Sequence, residues 1–180
     1  MKVTKVKLIP LTVDDREQFI KDNQRAFKYG AIEEFGNRDD HFDDDGEIIS
    51  RETIERCIDE SKNDTFRIIH DGKKVGGVIV GIDKETQLNH LEILFVSPEE
   101  HTKGIGFGAW QEIEKLYPDT KVWETFTPYF EKRNIHFYVN KCGFKVVEFF
   151  NDFHREPDQN EKSEEGPDEM FRFEKIMKRC

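Results

Sequence analysis

The residues best suited to chemistry fall in three short stretches. The first, SPEEHTKGIGFGAW at 97–110, sets Gly104, Gly106 and Gly108 two apart, directly behind Lys103. Glycine adopts dihedrals that side chains forbid and lets a ligand approach the main chain. A helix starting here would offer free amide hydrogens and a partial positive charge. The stretch reads either as an ordinary strand-to-helix turn or as a cradle for a pyrophosphate. It is not the dinucleotide fingerprint, whose spacing is GxGxxG, and it is not a P-loop, because no GKS or GKT follows a four-residue gap. The second stretch, RNIHFYVNKCGFK at 133–145, sets Asn134 four residues before Tyr138, one turn apart on one face of a predicted helix. Tyr138 offers a phenol near pKa ~10, a group able to donate a proton or a hydrogen bond. Tyr138 reads equally as an aromatic filling the core beside Phe137. In the third, HLEILFV, strand alternation puts His90, Glu92, Leu94 and Val96 on one face. Glu92 is the first candidate for a general base, His90 the second, and Glu124 on the following strand the third. Each also reads as a solvent-facing sheet residue.

Taken together, the first two stretches resemble the GNAT superfamily of acetyl-coenzyme A-dependent N-acetyltransferases. The superfamily's pyrophosphate loop reads [Q/R]-x-x-G-x-[G/A] after its fourth strand, where this chain has His101-Thr102-Lys103-Gly104-Ile105-Gly106. A later helix of the superfamily carries an Asn and a Tyr ahead of Gly-Phe, matched here by Asn134, Tyr138 and Gly143-Phe144. The resemblance implies a transfer of acetyl from acetyl-CoA, a co-substrate, directly to a primary amine in a ternary complex. It places Phe95 and Val96 beside the pantetheine arm, and gives the pyrophosphate to the loop and the amides that follow, through Phe107, Gly108 and Ala109. It makes Tyr138 the acid for the departing thiolate, Asn134 a coenzyme or backbone contact, and Glu92 the base. No cysteine or serine is set up as a covalent carrier: Cys142 has no histidine near it in sequence besides His136. His101 departs from the usual Gln or Arg, and a histidine is charged only below a pKa near ~6.5. Coenzyme affinity is therefore expected to vary with pH. A GNAT-like fold that binds acyl-CoA as a sensor or interaction module, without turnover, is the alternative.

The elements needed to position these residues can be read from periodicity. KVTKVKLIPL is a predicted strand, and DDREQFIKDNQRAF a helix capped by Thr12 or Asp14. SRETIERCIDES is a second helix, and TFRIIHDGKKVGGVIVGID a hairpin turning at Asp71-Gly72. HLEILFVS is a strand and GFGAWQEIEKLY a helix. TKVWETFT is a strand, and RNIHFYVNKCGF a short helix stopped by Gly143. KVVEFFNDF and EMFRFEKIMK close the chain as strands. The order β α α β β β α β α β β predicts a mixed α/β fold, a mostly antiparallel sheet flanked by helices, in a single GNAT-like domain over residues 1–180.

Composition narrows the partners. The chain has 180 residues, a formal charge of −10 and sixteen phenylalanines, enough apolar matter for one core. No basic stripe is present for a nucleic-acid backbone, and no run reaches the ~18 apolar residues of a membrane span. Nucleic acid and membrane are thus not expected as partners, and a homodimer stays open. Cys57, Cys142 and Cys180 form no CxxC or Cys/His cluster, so reduced thiols in the cytoplasm are expected and no metal. Acidic residues crowd 33–60, where the superfamily builds its acceptor site. They read as a solvated face or as recognition for a polyamine, another cationic amine or a basic peptide, with Phe35 and Phe42 as an apolar wall. Residues 41–52 match a calcium loop at Asp43, Asp45, Gly46, Ile48 and Glu52, but His41 stands where an aspartate is required. An acidic loop before a helix is the plainer account.

Overall fold

The computed structural model describes residues 4–35, 45–157 and 169–178. Its elements are β1 (Lys7–Pro10), α1 (Arg16–Phe35), α2 (Arg51–Asp59), β2 (Asn63–His70), β3 (Lys73–Gly81), β4 (Leu88–Val96), α3 (Ile105–Leu116), β5 (Val122–Pro128), α4 (Lys132–His136), β6 (Lys145–Phe150) and β7 (Met170–Ile176). The strands form a seven-stranded, mostly antiparallel sheet in the order β1-β2-β3-β4-β5-β7-β6. The element order is the expected one. Contacts group the chain into two compact units, Met1–Ile82 with Leu91–Pro118, and Asp83–His90 with Asp119–Cys180.

In the first unit a buried arginine fixes α1 to the sheet. Arg67 on β2 is 1% exposed. Its Nε donates to Asp15 at 2.7 Å, its Nη1 to Asp22 at 2.9 Å, and its guanidinium lies 5.1 Å from the centre of the Phe19 ring. A cation this deep is tolerated only because both carboxylates and the ring replace its water. Phe19 and Ile20 then pack with Ile54 of α2, Ile79 of β3, and Ile93 and Phe95 of β4. On the opposite face Ile105 and Ala109 of α3 pack with Val6, Ile68 and Val75. A β-bulge separates the two faces along β3, because Ile68 pairs with Gly76 but Ile69 pairs with Lys74. Val75 is the extra residue, so it faces α3 while Gly77, two positions on, faces Phe19. Both glycines after it are required by close packing. A Cβ on Gly76 would lie 2.2 Å from the Phe95 carbonyl oxygen, and one on Gly77 would lie 2.3 Å from the Phe19 ring.

Two helices differ from expectation. The first begins after a 3-10 turn, Val13–Asp15, without a side-chain cap from Thr12, and runs on through Gly30 to Phe35. The Tyr29 hydroxyl, donating to Glu33 at 2.6 Å, supports that extra length. The second helix starts from a cap that the sequence reading did not name, with Ser50 Oγ accepting the Thr53 amide at 3.1 Å. The hairpin turn is as expected, with Asp71 and Gly72 at φ 48 and 75.

In the second unit β7 lies between β5 and β6, antiparallel to both. Residues Leu88, Asn89 and His90 of β4 pair in parallel with Val122, Trp123 and Glu124 of β5, and the ladder ends there. Asn89 is buried and satisfied, its amide nitrogen donating to Thr120 at 2.7 Å and its oxygen accepting the Asp83 amide at 2.9 Å. Trp123, Phe144 and Phe173 are fully enclosed. The helix predicted over 133–144 is α-helical only to His136. A π-helical turn follows, Phe137–Cys142, ended by Gly143 at φ 82 with its amide on the Tyr138 carbonyl.

Removing the Arg67 guanidinium leaves Asp15 to Lys74 and Asp22 to Gln18 and empties the space beside Phe19, so Arg67→Ala is expected to cost about 3 kcal/mol in urea unfolding. Burial alone would push the Asp15 carboxyl up, but its bonds to Arg67 and then Lys74 hold it below the ordinary 3.8. A depressed folded pKa gives stability that is complete above the unfolded value and lost as pH falls through the folded one. The parent should therefore lose this increment below about pH 4, and Asp15→Asn should show a flatter acid limb in the same titration.

Candidate active site

The glycine stretch lies in the first unit and forms what the sequence leads one to expect: strand, loop, helix. Ser97 leaves β4 with its amide on the Val75 carbonyl at 2.8 Å, so the bulged residue anchors the start of the loop. Pro98–Glu100 makes a 3-10 turn. Thr102 then adopts φ 71, an unusual conformation for a β-branched residue, and Gly104 adopts φ 74 as the N-cap of α3. Thr4 donates its hydroxyl to the Lys103 carbonyl and pins the loop from the far side. With glycine as cap, no side chain competes for the first amides of α3.

The three glycines turn out to have separate roles. Gly104 supplies the left-handed cap. Gly106 sits in the first turn, half-buried. Gly108 is a packing residue, for a Cβ there would lie 2.5 Å from the Thr4 carbonyl oxygen. Its amide donates to the Gly104 carbonyl at 2.9 Å. The free amides of the helix therefore end at Phe107, and the amides of Gly108 and of Ala109, one residue further in, leave the expected pyrophosphate contacts. Ala109 and Ile105 turn their side chains into the core against β1 and β3.

The loop has little positive charge to spare. Lys103 Nζ donates to Glu100 at 2.8 Å, and that bond, ahead of every other influence, holds the Glu100 carboxyl low. His101 spends Nε2 on the Val96 carbonyl at 2.9 Å, which fixes the ring in either charge state. An anion would meet main-chain amides and the helix end first. That donor set fits the pyrophosphate of a coenzyme, which a backbone nest holds without a basic side chain. Phe95 offers only its main chain here, because its ring is buried edge-on against Phe19, the centroids 5.2 Å apart. Glu92 is exposed on the outer face of β4, and its charge joins burial in raising the Cys57 thiol.

The Asn134–Tyr138 pair lies in the second unit and is built differently from expectation. The α-helix that holds Asn134 gives way to the π-turn at Phe137, with His136 and Phe137 still in right-handed helical dihedrals. Asn134 Nδ2 lies 3.3 Å from Glu131 and 3.4 Å from Thr127. Tyr138 is 8% exposed among Phe137, Phe144 and Phe173. Burial pushes its phenol well above the ordinary value, Cys142 adds to the rise, and a hydrogen bond with Thr125 offsets part of it. The phenol therefore keeps its proton across the neutral range. It is suited to offering a hydrogen bond to a developing anion, and less suited to releasing the proton outright. His136, expected to face away from Cys142, pairs with Asn140 at 2.9 Å.

The sequence also named His90 and Glu124, which the sheet register brings together. His90 Nδ1 is 3.1 Å from Glu124 Oε1, and Arg172 donates through Nη1 to Glu124 at 2.8 Å and to Glu174, and through Nε to Glu148. Arg172 went unnoticed in the sequence, although the alternation of FRFEK sets it on one face with Glu174. His41, Phe42 and Asp43 lie in the part of the acidic stretch, 36–44, that is outside the described residues, as does the side chain of Phe35. Asp45, Gly46, Ile48 and Glu52 are described, Gly46 at φ 76.

Comparison with known proteins identifies the family. A family model described as the acetyltransferase (GNAT) family matches residues 22–144, more than half of the chain. The chain belongs to the GNAT family. It is 46% identical over 171 residues to the uncharacterized protein YrkN of Bacillus subtilis (strain 168), covering 92% of this chain and 90% of that one. Among solved structures it resembles the ribosomal-protein-S18-alanine N-acetyltransferase of Escherichia coli, with a TM-score of 0.67 at 13% identity over 98% and 96% of the two chains. The PaiA N-acetyltransferase of Thermoplasma acidophilum, solved with coenzyme A, gives 0.65 at 18% identity over 97% and 100%. The spermidine N-acetyltransferase of Vibrio cholerae, solved with CoA and spermine, gives 0.65 at 13% identity over 95% of each chain. At such identities these neighbours attest the GNAT fold.

The division of labour among the glycines can be measured. Gly104→Ala puts a side chain at positive φ and should cost about 1–2 kcal/mol. Gly108→Ala forces a Cβ against backbone and should cost about 1–3 kcal/mol in urea unfolding. A neutral Gly108→Ala would show that α3 has room to move from β1.

Proposed function

We propose that this GNAT chain transfers acetyl from acetyl-CoA to a primary amine. The observation that carries the reading is the α3 N-terminus: Gly104 caps it without a side chain, and the amides of Ile105, Gly106 and Phe107 precede the first bond within the helix. Those amides, with Thr102 and Lys103 of the loop and His101 before them, hold the pyrophosphate. The backbone of β4 at Phe95 and Val96 lies along the pantetheine arm, beyond the end of the β5 ladder. The coenzyme supplies an activated acetyl thioester. Tyr138, kept protonated by burial, donates a hydrogen bond to the departing sulfur, and Asn134 contacts the coenzyme from the same segment. Glu92 takes the proton that an ammonium must lose before its nitrogen can attack.

The proposed acceptor is a cationic amine, such as a polyamine, or a basic peptide, argued from the acidic stretch at 33–60. The Vibrio cholerae neighbour with spermine shares the fold with this chain, which supports the class of reaction more than the choice of amine. Both chemistry and the three cysteines suit a cytoplasmic protein, and no helix among the described residues is long and apolar enough to cross a membrane. A second reading, acyl-CoA binding without turnover, is favoured by one observation: the Tyr138 hydroxyl is enclosed and already bonded to Thr125.

Calorimetric titration with acetyl-CoA should show saturable binding that Gly106→Glu abolishes. In an amine panel, Tyr138→Phe should lower kcat by about a hundredfold while leaving coenzyme binding intact. Glu92→Gln should lose activity at neutral pH and regain it as pH approaches the amine's own pKa. Coenzyme binding with no turnover on any amine would select the second reading, and no binding would remove both.

A further inference from the structure

The loop's own cations are engaged, yet a coenzyme brings several phosphate charges. The same unit holds a second source of positive charge beside the loop. Along the outer face of α1, Lys21, Gln24, Arg25, Lys28 and Tyr29 line an open cavity of ≈ 390 Å³ with Glu47 at its edge. The spacing is helical, so one face carries three cations in a chain whose formal charge is −10. This face meets the loop at two points. Arg25 pairs with Glu99, and the Tyr29 ring packs edge-on against the His101 ring with centroids 5.5 Å apart.

The cations are held loosely. Lys28 lies 3.8 Å from Glu47, and Lys21 lies 3.8 Å from a Glu17 that Arg51 already grips through both oxygens. Arg25 and Glu99 are each more than half exposed, and exposed pairs contribute little and exchange partners easily. A phosphate arriving at the cavity could take Arg25 from its exposed partner, and Lys28 from Glu47, which is 3.8 Å away and 25% exposed. Gln24 Nε2 and the Tyr29 hydroxyl are neutral donors on the same wall, bonded at present to the Ile49 carbonyl and to Glu33.

We propose that the α1 face is a phosphate-binding site for the coenzyme, in which Arg25 and Lys28, with Lys21 behind them, supply the charge that the glycine loop lacks. The inference rests on the coenzyme reading of that loop. It assigns the main-chain amides to position and the α1 cations to affinity. Because α1 also borders the acidic stretch, the coenzyme and the acceptor region would share one helix.

The test is calorimetry on the intact chain with acetyl-CoA and with its 3′-dephospho form, at two salt concentrations. The double variant Arg25→Gln/Lys28→Gln should bind acetyl-CoA roughly five- to twentyfold more weakly than the parent, with a shallower salt dependence. Arg25→Lys/Lys28→Arg, which keeps the charge, should stay within about twofold of the parent. All these side chains are exposed, so thermal melts of the variants should match the parent's. A deficit confined to acetyl-CoA assigns the 3′-phosphate, and a deficit with both forms assigns the pyrophosphate; either upholds the site. Parent-like affinity in the double variant overturns it while leaving the coenzyme reading standing. No saturable binding by the parent overturns that reading, and this inference with it.

Discussion

Arg67 is the constraint on which the first unit turns. A guanidinium at 1% exposure survives in a core only with its hydrogen bonds complete, and Asp15 and Asp22 complete them from one end of α1. That fixes the rotation of the helix about its own axis. Phe19, stacked beneath the cation, must then face Phe95, and the opposite face must carry Lys21, Arg25 and Lys28 outward. A polar interaction at the root of α1 thus determines both what the sheet buries and which charges stand beside the glycine loop.

The loop illustrates how an acidic protein can be built to receive an anion. The cation within the loop, Lys103, is bonded to Glu100, and Arg25 beside it is held only by an exposed pair with Glu99. What remains uncommitted is main chain, oriented by the capless start of α3 and by the positive φ of Thr102 and Gly104. Backbone donors carry no entropy of side-chain fixation and cannot be misprotonated. They discriminate by geometry, whereas the cations on α1 would act by charge and over longer range. The enclosed Tyr138 belongs to the same economy of means, since its environment keeps it a donor across the neutral range.

Much of this was legible in the sequence, and the reasons are local. The Asp71-Gly72 turn and the alternation of HLEILFV are short-range signals, and each appears where its pattern placed it. The GNAT resemblance came from glycine spacing and from Asn134 with Tyr138, which a helix-and-loop pattern can carry. What stayed hidden depends on partners far away in the chain. Nothing near Arg67 announces that it will be buried, because its carboxylates are on another element. Gly108 looks like its two neighbours until Thr4 is found against it. The π-turn at Phe137–Cys142 escaped because it has no compositional mark, and α1 outran its prediction because Gly30 reads as a stop when the Tyr29–Glu33 bond is unseen. The pairing of His90 with Glu124 follows from parallel register, which no single strand encodes.

The bulge at Val75 has a consequence for how the gene can change. Its carbonyl holds Ser97, and its extra residue sets the parity by which Gly77 faces Phe19 and Val75 faces α3. Deleting one codon there would leave a more regular ladder with β2, yet it would shift the pleat on one side of the deletion relative to the other. Side chains meant for α1 would point at α3, and Ser97 would lose its anchor. Substitutions at Val75 change one side chain, whereas a change of length changes the address of a whole strand. Drift in this family of sequences should therefore tolerate variety at that position while conserving the count of residues between the hairpin turn and the loop.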